Sequence, residues 1–91
     1  MKRLPDNVAP YKRTPDFTQD TIPTGLLNSH NTKEGVWGKI VVLDGCLRYR
    51  ILAPVLEEVD LGPESPGVVE PTVKHEVEPL GQVRFYVEFY R

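Results

Sequence analysis

Cysteine is almost absent: Cys46 is the only one among 91 residues. No disulfide can close within the chain, which fits a reducing, cytoplasmic setting. Long apolar runs are missing too. The longest, Ile40 to Leu43, falls far short of the roughly 20 residues a membrane-crossing helix needs. The opening MKRLPDNVAP carries basic residues but no apolar segment, so no secretory signal is expected. Charge of one sign is not in excess either. Eleven Lys and Arg stand against 13 Asp and Glu, a net charge of −2, whereas a nucleic-acid surface is strongly basic. There is no Cys-x-x-Cys pair and no glycine-rich loop opening a helix. A serine nucleophile is equally unsupported. Ser29 and His30 are strand neighbours on opposite faces, and Ser65 lies in a proline-rich turn.

What is present is ordinary for a soluble globular protein: 40% hydrophobic and 26% charged residues. The length suits one domain, 1–91. A chain this short buries only about 60–65% of its unfolded surface, so a homodimer is expected. Nine prolines and seven glycines cut the chain into short segments, which favours strands over helices.

The segment Gly35 to Ile51, GVWGKIVVLDGCLRYRI, organises the rest. Asp44-Gly45 between two apolar runs predicts a hairpin, because a two-residue type I′ turn needs positive φ at both central positions. That register puts Val42, Leu47, Ile40, Tyr49 and Ile51 on one face, the core side. Val41, Arg48, Lys39 and Arg50 share the wetter face.

Residues 1–24 hold Pro5, Pro10, Pro15 and Pro23, too closely spaced for a long helix. They read as an extended arm with one or two short strands, mildly basic through Lys2, Arg3, Lys12 and Arg13. From Gly25 a strand is expected, with Leu26, Asn28 and His30 on one face. Pro54 starts a weaker strand through Val55, Val59 and Leu61, whose Glu57, Glu58 and Asp60 suit an exposed edge. GPESPG at 62–67 is a loop, Val68 and Val69 a short strand, and Val73, His75 and Val77 share a parity. Pro79-Leu80-Gly81 reads as another turn. Val83, Phe85, Val87 and Phe89 then alternate with polar or amphipathic residues, the clearest strand of all. Several short strands and no convincing helix predict an all-β sandwich or small barrel.

Chemistry has few candidates. His30 and His75 are the two histidines, both on strands expected to line the interior. Neutral imidazole binds zinc, iron, nickel or copper, and a barrel could bring the two rings together. A metal site needs three or four donors, and Asn28, Thr32, Glu70 and Glu76 are candidates without a decisive spacing. The alternative is two buried histidines bonded to backbone groups. Trp37, Tyr49, Phe85 and Tyr86 are candidates for an apolar pocket or simply core. Arg48 and Arg50 could hold an anion, or form a solvated strand face.

Taken together, Leu4-Pro5, Tyr11-Lys12-Arg13-Thr14-Pro15, Pro23, Gly25-Leu26-Leu27 and His30-Asn31-Thr32-Lys33 resemble the small TehB/YeaR-like family. So do Gly35-Val36-Trp37-Gly38, Leu43-Asp44-Gly45, Val69-Glu70-Pro71, His75 and Phe85-Tyr86-Val87-Glu88-Phe89. The blocks fall in order over nearly the whole chain. The resemblance implies a link to tellurite resistance and a cupin-like fold. In some bacteria a similar domain precedes a methyltransferase domain; these 91 residues contain none, so methyl transfer is not expected of them. Gly25, His30 and Gly45 match the first cupin motif, and Gly67, Pro71 and His75 echo the second. Thr32 and Gly38 stand where further ligands usually lie.

The expectation is therefore a cytoplasmic, single-domain, cupin-like jelly-roll barrel that assembles as a homodimer. It would bind a divalent transition metal (zinc, iron or nickel) or a small ligand at His30 and His75, with Trp37, Tyr49, Glu70 and Phe85 around the pocket. Water or Glu70 would complete a metal shell. The alternative is a non-metal module that captures an oxyanion or a partner protein, its histidines structural. A cupin-type metal-dependent enzyme is the third reading.

Overall fold

Two long strands carry the architecture: β3 (Trp37–Ile51) and β6 (His75–Tyr90). They pair antiparallel along their whole length, from Trp37 opposite Tyr90 to Ile51 opposite His75. The computed structural model describes residues 1–28 and 31–91. Shorter strands flank this ribbon on both sides. β1 (Pro10–Arg13) and β2 (Phe17–Thr18) add to β6, while β4 (Glu57–Leu61) and β5 (Gly67–Val69) add to β3. Among the described residues the fold is all-β apart from one turn of helix, α1 (Thr24–Leu27). The sheet runs from β1 through β6 and β3 to β4 without closing on itself among the described residues, so the expected closed barrel is corrected to an open sheet.

The hairpin expected at Asp44-Gly45 does not form. Asp44 lies opposite Arg84 and Gly45 opposite Val83, inside one continuous strand. Between Val42 and Asp44, β3 advances two residues while β6 advances one, from Phe85 to Arg84. That is a β-bulge, and Gly45 sits just past it at φ +82°. A second irregularity follows. From Gly45 to Leu47 the partner moves from Val83 to Pro79, so the expected turn at Pro79-Leu80-Gly81 is an irregularity within β6 instead. Proline lacks the N–H that a regular ladder requires, and bulges tolerate it.

Each extra residue inverts the inward parity of a strand. In β3 the buried set changes from Ile40 and Val42 to Leu47, Tyr49 and Ile51 across the bulge. β6 keeps one parity, with His75, Val77, Val83, Phe85 and Val87 buried. These side chains, with Leu61 and Val69, form one apolar core.

The N-terminal arm closes one flank by mixing backbone and side-chain pairing. Pro15 interrupts the ladder between β1 and β2, and side chains fill the gap. In the gap the Val87 amide donates to Thr14 Oγ1 at 3.0 Å, and just past β2 the Val83 amide donates to Gln19 Oε1 at 3.1 Å. Phe17 packs edge-on against Phe85, ring centroids 5.7 Å apart. The strand expected from Gly25 is instead the α1 turn, opened by Pro23 and followed by extended Asn28.

Candidate functional site

A small cavity of about 40 Å³ lies at the inner face of β3 and β6, with Thr14, Thr32, Ile40, His75, Phe85 and Phe89 among its walls. That is room for about three water molecules. The walls are apolar except at Thr14, Thr32 and His75, and the last two are also the buried polar residues of the described chain. Thr32 arrives on the loop before β3. Its hydroxyl donates to the Val36 carbonyl at 2.9 Å, with the Glu70 carbonyl 3.4 Å away, and the Thr72 amide donates to the Thr32 carbonyl. Thr32 thus ties its loop to the turn between β5 and β6. Thr72 holds φ 64° in that turn, a left-handed conformation unusual for a β-branched residue.

His75 opens β6 and is 4% exposed. Its Nδ1 lies 3.0 Å from the Val73 carbonyl. A carbonyl only accepts, so Nδ1 carries the proton in this contact. Its ring meets Tyr49 edge-on, centroids 5.9 Å apart. Tyr49 is fully buried and donates its hydroxyl to the Val68 carbonyl at 3.1 Å. Burial, reinforced by the charges of Glu70 and Glu57, pushes its phenol well above the ordinary tyrosine value.

Of the pocket residues expected from sequence, Phe85 lines this cavity with His75. Tyr49 stands behind His75 as core, Trp37 is half-buried at the start of β3, and the Glu70 carboxylate reaches Lys2 at 3.4 Å. His30 lies outside the described residues. Among the described residues, no group of three or more His, Cys, Asp or Glu could hold a metal ion.

Arg48 and Arg50, the sequence candidates for an anion, face carboxylates of the same molecule. Arg48 makes a two-pronged contact with Asp60, at 2.9 and 3.3 Å. Arg50 reaches Glu76 and Glu78 at 2.9 Å and Glu58 at 3.3 Å. The hydrogen bond from Arg48 and its charge hold the Asp60 carboxyl below its ordinary value, and the same carboxylates raise both guanidiniums. Sequence reasoning missed a second concavity. An open groove of about 240 Å³ is lined by Tyr11, Lys12, Asn31, Lys33 and Phe89. No local pattern announces it, because a bulge at Tyr11 and a distant loop build it together.

A family model for the TehB-like domain matches residues 12–87. The chain belongs to the TehB-like family. Two relatives from Haemophilus influenzae, strains KW20 / Rd and 10810, are 42% and 40% identical over 74 residues. Both are named "Probable S-adenosyl-L-methionine-dependent methyltransferase TehB". The match takes in 77% of this chain but 26% of each relative, so the chain spans about a quarter of the length of the curated relatives it matches. The crystal structure of TehB from H. influenzae superposes with a TM-score of 0.86 at 37% identity, over 93% of this chain and 32% of that one. A protein from E. coli (strain K12) superposes over all of this chain and 97% of its own, with a TM-score of 0.88. At 21% identity that likeness concerns the fold alone.

These relatives correct the function expected from sequence. A metal ion or small ligand held by His30 and His75 gives way to a family whose relatives are named as methyltransferases. The cofactor in those names is S-adenosyl-L-methionine, not zinc, iron or nickel. The physical reason for the error is that matching parity told only that His75 points inward. Inside, its Nδ1 lies against the Val73 carbonyl and its ring against Tyr49, and among the described residues no group of three or more His, Cys, Asp or Glu could hold a metal ion.

Proposed function

We propose that this TehB-like chain serves an S-adenosyl-L-methionine-dependent methyltransferase system as its small β-domain, working beside the part that binds the cofactor. One observation carries this reading: 77% of the chain aligns at 42% identity with a relative named for that activity, yet within only 26% of that relative. The cavity at His75 argues for the division of labour. Its 40 Å³ compares with about 300–1,000 Å³ for pockets that enclose drug-sized ligands, so its walls do not fit an adenosyl cofactor. No catalytic step is therefore assigned to these residues.

The reading treats residues 1–91 as one domain with 1–24 as its arm, supported by the pairing of β1 and β2 with β6. The jelly-roll, cupin-like description applies to the fold alone, supported by two long strands that bend at shared irregularities around one core; it brings no metal with it. A cytoplasmic location is consistent with the free Cys46 and with the absence of any described helix long and apolar enough to cross a membrane. Val55 and Leu56, 73% and 67% exposed, support a homodimer.

The test is a chimera in which this chain replaces the matching segment of the H. influenzae relative, assayed for transfer of a labelled methyl group from S-adenosyl-L-methionine. Activity is retained, and calorimetry finds no cofactor binding to this chain alone. A folded but inactive chimera, or saturable cofactor binding by this chain alone, would overturn the proposal.

A further inference from the structure

The groove beside β1 has a composition of its own. In the pairing of β1 with β6, Pro10 lies opposite Tyr90 and Lys12 opposite Phe89, which leaves Tyr11 as an extra residue. Successive side chains on a regular strand point to opposite faces. A bulge suspends that rule and re-aims side chains, so neighbours Tyr11 and Lys12 line the same groove. The Arg91 guanidinium, 4.1 Å from the centroid of the Tyr11 ring, holds that ring by a cation–π contact.

The opposite wall comes from a separate loop. The Val36 amide donates to the Lys33 carbonyl at 3.1 Å, and Gly35 takes φ +78° between them, as the third position of a type II turn requires. The turn presents Lys33, with Val36 behind it, and Asn31 adds a carboxamide. Phe89 and Thr32 separate the groove from the inner cavity, since both line each of them. Among the described residues no carboxylate lines the groove, and no ion pair engages Lys12 or Lys33.

We infer that this groove binds a small organic anion, with its apolar body against Tyr11, Phe89 and Val36 and its carboxylate between Lys12 and Lys33. At about 240 Å³ the groove lies just below the range of drug-sized pockets, which suits a molecule of one ring or a short chain. Two ammonium groups supply the attraction for the charge. The apolar walls favour an organic anion over a fully hydrated inorganic one, which loses water on entry and gains no apolar contact. The site is separate from the cavity at His75 and does not depend on the methyltransferase reading.

The probe is benzoate, titrated into the full chain and followed by amide NMR shifts. Saturable shifts at Tyr11, Lys12, Asn31, Lys33, Val36 and Phe89 are expected, weakening with added salt. Both lysines are exposed, so Lys12→Gln/Lys33→Gln leaves the fold intact, and it raises the benzoate Kd about tenfold, the combined effect of two exposed ion pairs. Neutral benzamide shifts the same residues far less, and inorganic phosphate does not displace benzoate. Four results would each overturn the assignment: no saturable shifts, an unchanged Kd in the double variant, benzamide binding as well as benzoate, or phosphate binding more tightly.

Discussion

Replacing Gly45 by alanine tests whether the chain runs straight through Asp44-Gly45 or turns there. A Cβ at Gly45 would stand 2.0 Å from the Gln82 carbonyl oxygen and 2.9 Å from the Gln82 carbonyl carbon and Val83 Cα. All three are backbone atoms of the paired strand, so no side chain can swing aside. The left-handed φ of +82° alone costs an alanine about 1–2 kcal/mol. Overpacking against a fixed neighbour adds about 1–3 kcal/mol, for a total of about 2–5 kcal/mol. Total stability for a chain of this size is about 5–14 kcal/mol, so the variant loses a large share of it. Gly81 supplies the control. It holds φ +87°, yet nothing lies within 4 Å of a Cβ built there. Gly81→Ala should therefore cost only the conformational part, about 1–2 kcal/mol. Urea unfolding followed by tryptophan fluorescence at Trp37 measures both. If the two variants differ by less than about 0.5 kcal/mol, a margin typical of innocuous surface changes, the close approach of Gly45 to Gln82 is wrong and a free turn at Asp44-Gly45 returns.

Tyr49→Phe removes the donor to the Val68 carbonyl, a half-buried contact, while keeping the ring. It should cost about 1–2 kcal/mol in the same assay, and a neutral result would mean that carbonyl finds another partner. Asp60→Asn tests the pairing with Arg48. The folded-state carboxyl is held below its ordinary value, so its contribution is complete above about pH 4 and fades as pH falls through the lowered value. The unfolding midpoint of the variant should fall less steeply on acidification than that of the parent, and parallel curves would remove Asp60 from the acid response. Leu56→Glu, at a position 67% exposed, tests the proposed homodimer: the parent should scatter light as a dimer and the variant as a monomer, with stability changed by no more than about 0.5 kcal/mol, and a monomeric parent would refute the proposal. An unaltered dimer would place the interface elsewhere.

The inward face of the sheet was legible because burial enforces alternation. The sequence pattern places Ile40, Val42, Leu47, Tyr49 and Ile51 on one face, as the structure does, although a bulge stands where the pattern suggests a hairpin. A two-residue turn and a single-residue bulge each shift inward parity by one, so the apolar pattern around Asp44-Gly45 is identical for both. What separates them is the partner strand. Gly45 lies opposite Val83, nearly forty positions away, and no local feature reports that pairing. The same blindness explains Pro79-Leu80-Gly81, whose turn chemistry serves an irregularity in a strand that continues to Tyr90. At Thr24–Leu27 the segment was too short for its period to be read, since four residues fit a strand or one helical turn alike. His75 shows the limit for chemistry. Parity placed it inside, but only coordinates set its Nδ1 against the Val73 carbonyl and its ring against Tyr49.

The charges of the sheet's outer face decide where an anion can go. Arg48 and Arg50 looked available in sequence because their partners come from other strands: Glu58 and Asp60 on β4, Glu76 and Glu78 on β6. Four carboxylates around two guanidiniums leave this end of β3 net acidic, and an incoming anion would meet repulsion as well as occupied donors. The arginines instead fasten an acidic edge strand to the centre of the sheet, while its carboxylates discourage a second strand from pairing there. At the other end of β3 the balance reverses. Lys12 and Lys33 line a groove that no carboxylate lines among the described residues. Both ends carry basic residues of equal formal charge, and only the neighbours brought in by long-range pairing make one a structural clasp and the other a receptive site.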